Sequence, residues 1–129
     1  MVKKIKQASV LIVEDESELN EAYQIVLKHA GYTVKTSYNG QEALDILKTF
    51  NPDVILLDLR MPKVDGVAFL KAYNLKDEHP DVRVIIFSNY DMQQEIDEAF
   101  NLGAQRYMLK AWASPNELLQ IVEKTLSEQ

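Results

Sequence analysis

Residues 54–62 read Val54-Ile55-Leu56-Leu57-Asp58-Leu59-Arg60-Met61-Pro62. Four apolar residues run without a break, Asn51-Pro52 stands just upstream, and a carboxylate stands directly behind. A short continuous apolar run bounded by breakers is the pattern of a strand covered on both faces. Val10–Val13 repeats it. Working outward, the runs Ala8–Val13, Thr33–Ser37, Val54–Leu57, Val82–Phe87 and Arg106–Leu109 alternate with amphipathic stretches, punctuated by Gly31, Pro80-Asp81 and Gly103.

The stretches between read as helices. In Ser17–Ala30 the residues Leu19, Tyr23, Val26, Leu27 and Ala30 form one stripe, and in Gln41–Phe50 Ala43, Leu44, Leu47 and Phe50 do the same. Asp91–Leu102 carries a thinner stripe of Met92, Ile96, Ala99 and Phe100, which predicts the least firmly held helix. The last helix has an explicit start, with Ser114 as N-cap, Pro115 at the first position and Glu117 completing a capping box. Leu118, Leu119, Val122 and Leu126 form its apolar face, which Ile121 and Thr125 broaden enough to permit a dimer contact or a wide core face. Five β-α units with right-handed crossovers predict an α/β fold, a (βα)5 doubly wound parallel sheet in the order 2-1-3-4-5.

Bulk properties narrow the functional classes. The chain of 129 residues suits one domain, and its core is expected over about 8–126. A net charge of −6 argues against a general nucleic-acid binder, which would show a basic patch. The absence of cysteine excludes thiolate metal sites and cysteine nucleophiles. No apolar stretch approaches the roughly 20 residues of a membrane span, and no secretory pattern follows the basic start, so a cytoplasmic location is expected.

In a sheet of this kind the functional site lies beyond the carboxyl ends of the strands. The first strand runs out into Glu14-Asp15 and the third into Asp58. Strands one and three are neighbours in the predicted order, so three carboxylates converge. Such a cluster needs positive charge among it, and hard oxygen ligands suit Mg²⁺, with Mn²⁺ as an alternative. Phosphoryl transfer to a carboxylate is the chemistry this allows. Strand four ends at Ser88, a hydroxyl donor, and strand five near Lys110, a point charge for phosphate. Taken singly, each has a plainer reading: a polar loop opening a helix for Glu14-Asp15, a turn for Asp58 or Ser88, a solvated lysine for Lys110. Four strand ends supplying the right group together is what points to chemistry.

With these residues in view, the sequence resembles the CheY-like receiver domain of bacterial two-component response regulators, on the flavodoxin-like fold. The matching residues are Glu14-Asp15, the stretch from Asp58 to Gly66, Ser88, and Gly103 to Lys110. The resemblance implies a single receiver domain over residues 1–129, with no output domain, acting in a phosphorelay. It implies that Asp58 accepts a phosphoryl group from a sensor histidine kinase or histidine phosphotransfer protein. Asp15 would bind the metal directly, Glu14 more remotely through water, and Asp58 and the Arg60 carbonyl would complete the protein ligands. Ser88 and Lys110 would hold phosphoryl oxygens. Tyr107, three residues before Lys110, falls where the family's switching aromatic stands and would move with Ser88. The face of the fourth helix, fifth strand and fifth helix would then meet a downstream protein. Intrinsic phosphotransfer and autodephosphorylation are implied, rather than metabolic catalysis, in a monomer or weak dimer without nucleic acid or membrane.

Two positions depart from the family pattern. Ala111 follows Lys110 where a cis proline is usual, so either a cis Lys110–Ala111 bond bears a cost of about 2.5–4 kcal/mol or the loop differs. Asn89 replaces a small residue. Arg60, Asn89 and Tyr90 are expected to modulate access of water to the acyl phosphate. Trp112, after the lysine loop, suits either an interface or packing on the last helix. His29 and His79 lack metal-ligand spacing and read as surface residues. Three other classes fit the residues less well. A pseudo-receiver, never phosphorylated, is disfavoured by the complete acid, serine and lysine set. A flavin or nucleotide binder is disfavoured by the acidic, glycine-free turn Glu14-Asp15-Glu16-Ser17, which repels phosphate. A phosphatase of the Asp-x-Asp type is disfavoured because Arg60 holds the second Asp position.

Overall fold

The computed structural model describes residues 8–89, 92–110 and 114–128. Strands β1 (Ser9–Val13), β2 (Thr33–Ser37), β3 (Val54–Asp58), β4 (Arg83–Ser88) and β5 (Arg106–Leu109) form one sheet. The helices are α1 (Ser17–His29), α2 (Gly40–Ile46), α3 (Gly66–Tyr73), the single turn α4 (Leu75–Glu78), α5 (Gln93–Asn101) and α6 (Pro115–Ser127). All strand pairs are parallel, in the order β2-β1-β3-β4-β5. This is the doubly wound sheet that the alternation predicts, and the predicted output face corresponds to α5, β5 and α6.

Two cores explain why the central strands read as unbroken apolar runs. Leu11, Val13, Ile55, Leu57, Val84 and Ile86 pack on one side, against Phe69, Leu70, Ile96 and Ala99. Val10, Ile12, Val54, Leu56, Ile85 and Phe87 pack on the other, against Tyr23, Leu27, Leu118 and Val122. Alternate residues of one strand thus serve opposite cores, and neither set can be polar.

Local chemistry sets the helix ends. Asn39 accepts the Glu42 N–H at 2.9 Å, Asp65 accepts that of Ala68 at 2.8 Å, and Ser114 accepts that of Glu117 at 3.3 Å. Helix α2 stops at Ile46 rather than running to Phe50. The Lys48 and Thr49 N–H groups bond back only three residues, to Asp45 and Ile46, so the chain tightens before Pro52. On α1 the buried line is Asn20, Tyr23 and Leu27, while Leu19, Val26 and Ala30 are only partly covered. The buried face therefore includes an asparagine that an apolar stripe passes over, while all five stripe residues lie in or against the core. Asn74, at φ 56°, ends α3 in the left-handed region and lets α4 follow at once. His79 is not a free surface residue, because its ring stacks on that of Tyr73 with centroids 4.0 Å apart. Thr125 is buried and returns its hydroxyl to the Ile121 carbonyl at 2.6 Å.

One glycine fixes the strand end that carries Asp58. A Cβ on Gly66 would stand 2.7 Å from Leu59 Cα and 2.9 Å from the Asp58 carbonyl oxygen. The Gly66 N–H also bonds the Leu59 carbonyl at 3.0 Å. Gly66→Ala is expected to cost about 1–3 kcal/mol through overpacking, seen as a lower urea midpoint at an unchanged slope.

Candidate functional site: a carboxylate cluster with one lysine

Because β1 and β3 are neighbours, the chain leaving Val13 carries Glu14 and Asp15 alongside Asp58. Carboxylate oxygens of Glu14, Asp15 and Asp58 lie within 4.8 Å of one another. Glu14 and Asp58 are each only 2% exposed. Lys110 enters from the end of β5, with its Nζ 3.0 Å from Asp58 Oδ2 and 3.3 Å from both Glu14 and Glu16. Backbone donors complete the fixing of the two buried acids. Asp58 Oδ1 accepts the Arg60 N–H at 3.1 Å, and Glu14 Oε2 accepts the Glu16 N–H at 3.0 Å.

The charges do not balance. Burial pushes the Glu14 carboxyl up to about 8, helped by the Asp58 charge, against the Glu16 N–H and Lys110. Burial also raises Asp58, although the Lys110 hydrogen bond and charge and the Arg60 N–H pull the other way. For Lys110 burial works against the ammonium, but Asp58, Glu14 and Glu16 more than offset it and its pKa rises. One ammonium is thus shared among several carboxylates, and both buried acids are costly to ionise. A second positive charge would relieve that cost. Clustered carboxylate oxygens are hard ligands of the kind a divalent cation takes, so Glu14, Asp15 and Asp58 could hold a metal ion.

Ser88 closes β4 next to this cluster, one residue beyond Phe87, which is the register partner of Asp58. Its hydroxyl is buried and has no hydrogen-bond partner among the described residues. Such groups are rare in folded proteins and call for an explanation. A ligand oxygen delivered to Asp58 would supply one. Tyr107 lies outward, 47% exposed, with its ring edge-on to Phe100 at a centroid distance of 6.3 Å. Arg60 and Asn89 are exposed at the rim. Tyr90, the Lys110–Ala111 bond and Trp112 lie outside the described residues.

Two residues of the site escape the reading of strand ends. The sequence marks Glu16 only as part of an acidic turn, yet it gives Lys110 a third carboxylate and Glu14 a backbone donor. Asn20, fully buried, donates to the Glu14 carbonyl at 2.9 Å and to the Ser37 carbonyl at 3.0 Å. Its own carbonyl oxygen accepts from Gln24 and Thr36. It therefore holds the loop after β1 against the end of β2. Spacing was the available signal, since Asn20 stands three and seven residues before the buried Tyr23 and Leu27.

A 2-1-3-4-5 parallel sheet with acids and a lysine at its carboxyl ends defines the class of CheY-like signalling domains. The chain belongs to the response regulator receiver domain family, which matches residues 10–123. Among relatives, the DNA-binding transcriptional regulator NtrC of Escherichia coli (strain K12) is 34% identical over 123 residues, 95% of this chain and 26% of that protein. The chain thus spans about a quarter of the length of that regulator. Sporulation initiation phosphotransferase F of Bacillus subtilis (strain 168) is 34% identical over 117 residues, 91% of this chain and 92% of that protein. The chemotaxis protein CheY4 of Vibrio cholerae superposes with a TM-score of 0.84 at 28% identity, covering 93% of this chain and 99% of that one. The family is a signalling phosphoacceptor family of two-component systems, whose members interact with histidine kinases and downstream targets. No described helix is long and apolar enough to cross a membrane.

Proposed function

We propose that this chain receives a phosphoryl group on Asp58 from a histidine kinase or histidine phosphotransfer protein and signals through the face of α5, β5 and α6. The observation that carries this reading is the buried Asp58 carboxylate, bonded to Lys110 at 3.0 Å and crowded by Glu14 and Asp15. Asp15 and Asp58, the Arg60 carbonyl, and Glu14 through water would hold a Mg²⁺ ion, with Mn²⁺ as a substitute. Bound there, the ion would neutralise phosphoryl oxygens and lower the repulsion that Asp58 meets in attacking phosphorus.

In the transfer an Asp58 oxygen forms a bond to phosphorus as the bond from phosphorus to the donor histidine nitrogen breaks. The released imidazole keeps the electron pair and takes up a proton. Lys110 exchanges its contact with Asp58 for one with a phosphoryl oxygen, and the Ser88 hydroxyl donates to another. The new group brings about −1.5 to −2 charges and strong acceptors, enough to bias a two-state element. Tyr107, now outward on Phe100, follows Ser88 inward and reshapes the output face. Arg60, Asn89 and Tyr90 tune hydrolysis by shielding the acyl phosphate. The chain works as a cytoplasmic signalling domain, a monomer or weak dimer, with phosphotransfer and autodephosphorylation as its intrinsic chemistry.

Incubation with acetyl phosphate tests this directly. Intact-mass measurement should show one added phosphoryl group in Mg²⁺ and none in EDTA. The absence of an adduct with either acetyl phosphate or beryllofluoride would leave a constitutive docking module as the better reading.

A further inference from the structure

One neutral side chain beside the acids is bonded more fully than packing alone requires. Asn20, on α1, is 0% exposed. Its nitrogen donates to the Glu14 carbonyl at 2.9 Å and to the Ser37 carbonyl at 3.0 Å. Its oxygen accepts from Gln24 Nε2 at 2.8 Å and from the Thr36 hydroxyl. Both of its N–H groups and both lone pairs of its oxygen are thereby engaged. The orientation of the amide is fixed as well, because main-chain carbonyls only accept, and a turned amide would set oxygen against oxygen. Tyr23 and Leu27 are buried on the same helix, and an apolar residue at position 20 would pack with them without any of these partners.

What the amide grips gives it a role. The Glu14 carbonyl belongs to the peptide that joins Glu14 to Asp15, the two acids that leave β1. The Ser37 carbonyl ends β2 and also accepts the Glu14 N–H at 3.1 Å. The Ser37 hydroxyl returns to β1, donating to the Ile12 carbonyl at 3.0 Å. The peptide before Glu14 is thus held through its N–H, and the peptide after it through its carbonyl. Fixing both planes fixes where Glu14 and Asp15 project, which is towards Asp58, with oxygens of all three acids within 4.8 Å of one another. Carboxylates held this close repel one another, so a loose loop would relax away from Asp58. A loop already held needs no further ordering when a ligand arrives. We propose that Asn20 is a positioning residue for the divalent cation: by holding the Glu14–Asp15 peptide it keeps the acids converged in the metal-free chain and so raises affinity for the ion. This inference rests on the phosphoreceiver reading and on these acids serving the metal.

Three variants separate this role from simple packing. Asn20→Leu keeps a similar volume but removes the donor to the loop. Thr36→Val removes one bond that steadies the amide and leaves the loop carbonyl its donor. Val26→Ala trims the same helix where it packs on the core, away from the loop. In calorimetric Mg²⁺ titrations of the unphosphorylated chains, Asn20→Leu should bind about tenfold more weakly than wild type. Thr36→Val should shift the same way by less, and Val26→Ala should match wild type. The half-saturating Mg²⁺ for phosphoryl uptake from acetyl phosphate should rise by the same factor in Asn20→Leu, with the rate at saturating Mg²⁺ within about twofold of wild type. In EDTA the Glu16 amide, which donates to Glu14 Oε2 at 3.0 Å, should exchange its hydrogen faster in Asn20→Leu than in Val26→Ala. An unchanged Mg²⁺ affinity in Asn20→Leu overturns the proposal, as does an equal loss in Val26→Ala. Should Asn20→Leu fail to fold, Thr36→Val decides, and wild-type affinity there overturns it. A wild-type chain that binds no Mg²⁺ would instead remove the metal-centre reading, and this inference with it.

Discussion

Asp58→Asn is expected to abolish phosphoryl uptake from acetyl phosphate completely while leaving the chain folded. An amide matches the carboxylate in shape but offers no anionic oxygen to attack phosphorus. Its carbonyl oxygen can still accept the Arg60 N–H, which now bonds Asp58 Oδ1 at 3.1 Å. Lys110 loses its shortest contact but keeps Glu14 and Glu16, each at 3.3 Å. Removing Asp58 also takes a negative charge away from Glu14, whose pKa that charge helps to raise. Burial raises Asp58 itself, so its ionised form is unfavourable in the metal-free fold. Urea melts in EDTA at mildly alkaline pH should therefore show Asp58→Asn at least as stable as the wild type. Intact-mass spectra after acetyl phosphate and Mg²⁺ decide the chemical half. A full-yield adduct in the variant would mean that another residue is the acceptor.

The parts of the site visible in the sequence are those that lie where a strand stops. Val54–Leu57 is apolar because both faces of β3 are covered, so the first polar residue after it, Asp58, marks the carboxyl edge of the sheet. The same logic finds Glu14-Asp15, Ser88 and Lys110, because parallel strands all end on one side. Residues whose role depends on where a side chain turns are a different matter. Glu16 lies one position past the acids, and only the reach of Lys110 across the site reveals it as a partner. The apolar stripe of α1 does face the core, but it passes by Asn20, which is polar and yet fully buried beside Tyr23 and Leu27. Gly66 stands in the matching stretch, but the reason for it, that a Cβ there would stand 2.7 Å from Leu59 Cα, shows only in three-dimensional placement. The end of α2 is likewise set by three-residue hydrogen bonds, which leave no mark in the pattern of Leu47 and Phe50.

Glu14→Gln is expected to change how metal-free stability depends on pH. Folding raises the Glu14 carboxyl from 4.5 to about 8, with burial as the largest cause and the Asp58 charge next. Between those values the folded chain holds a proton that the unfolded chain has released. The stabilisation is therefore complete below the unfolded value and is lost as pH climbs through the folded one. The loss is at most about 1.4 kcal/mol per pH unit across that window. Glutamine does not titrate, so the difference between the two proteins isolates this group from the rest of the acids. In EDTA, wild-type stability relative to Glu14→Gln should fall by about 2–4 kcal/mol between roughly pH 5 and pH 8.5, the full shift being shared with Asp58 and Lys110. Saturating Mg²⁺ should shrink this fall, because a cation that binds the ionised cluster stabilises the wild-type fold by mass action. Paired urea melts with and without Mg²⁺ read both effects. A difference that stays flat with pH would mean that Glu14 is ionised throughout, and that Lys110 alone already compensates the buried acids.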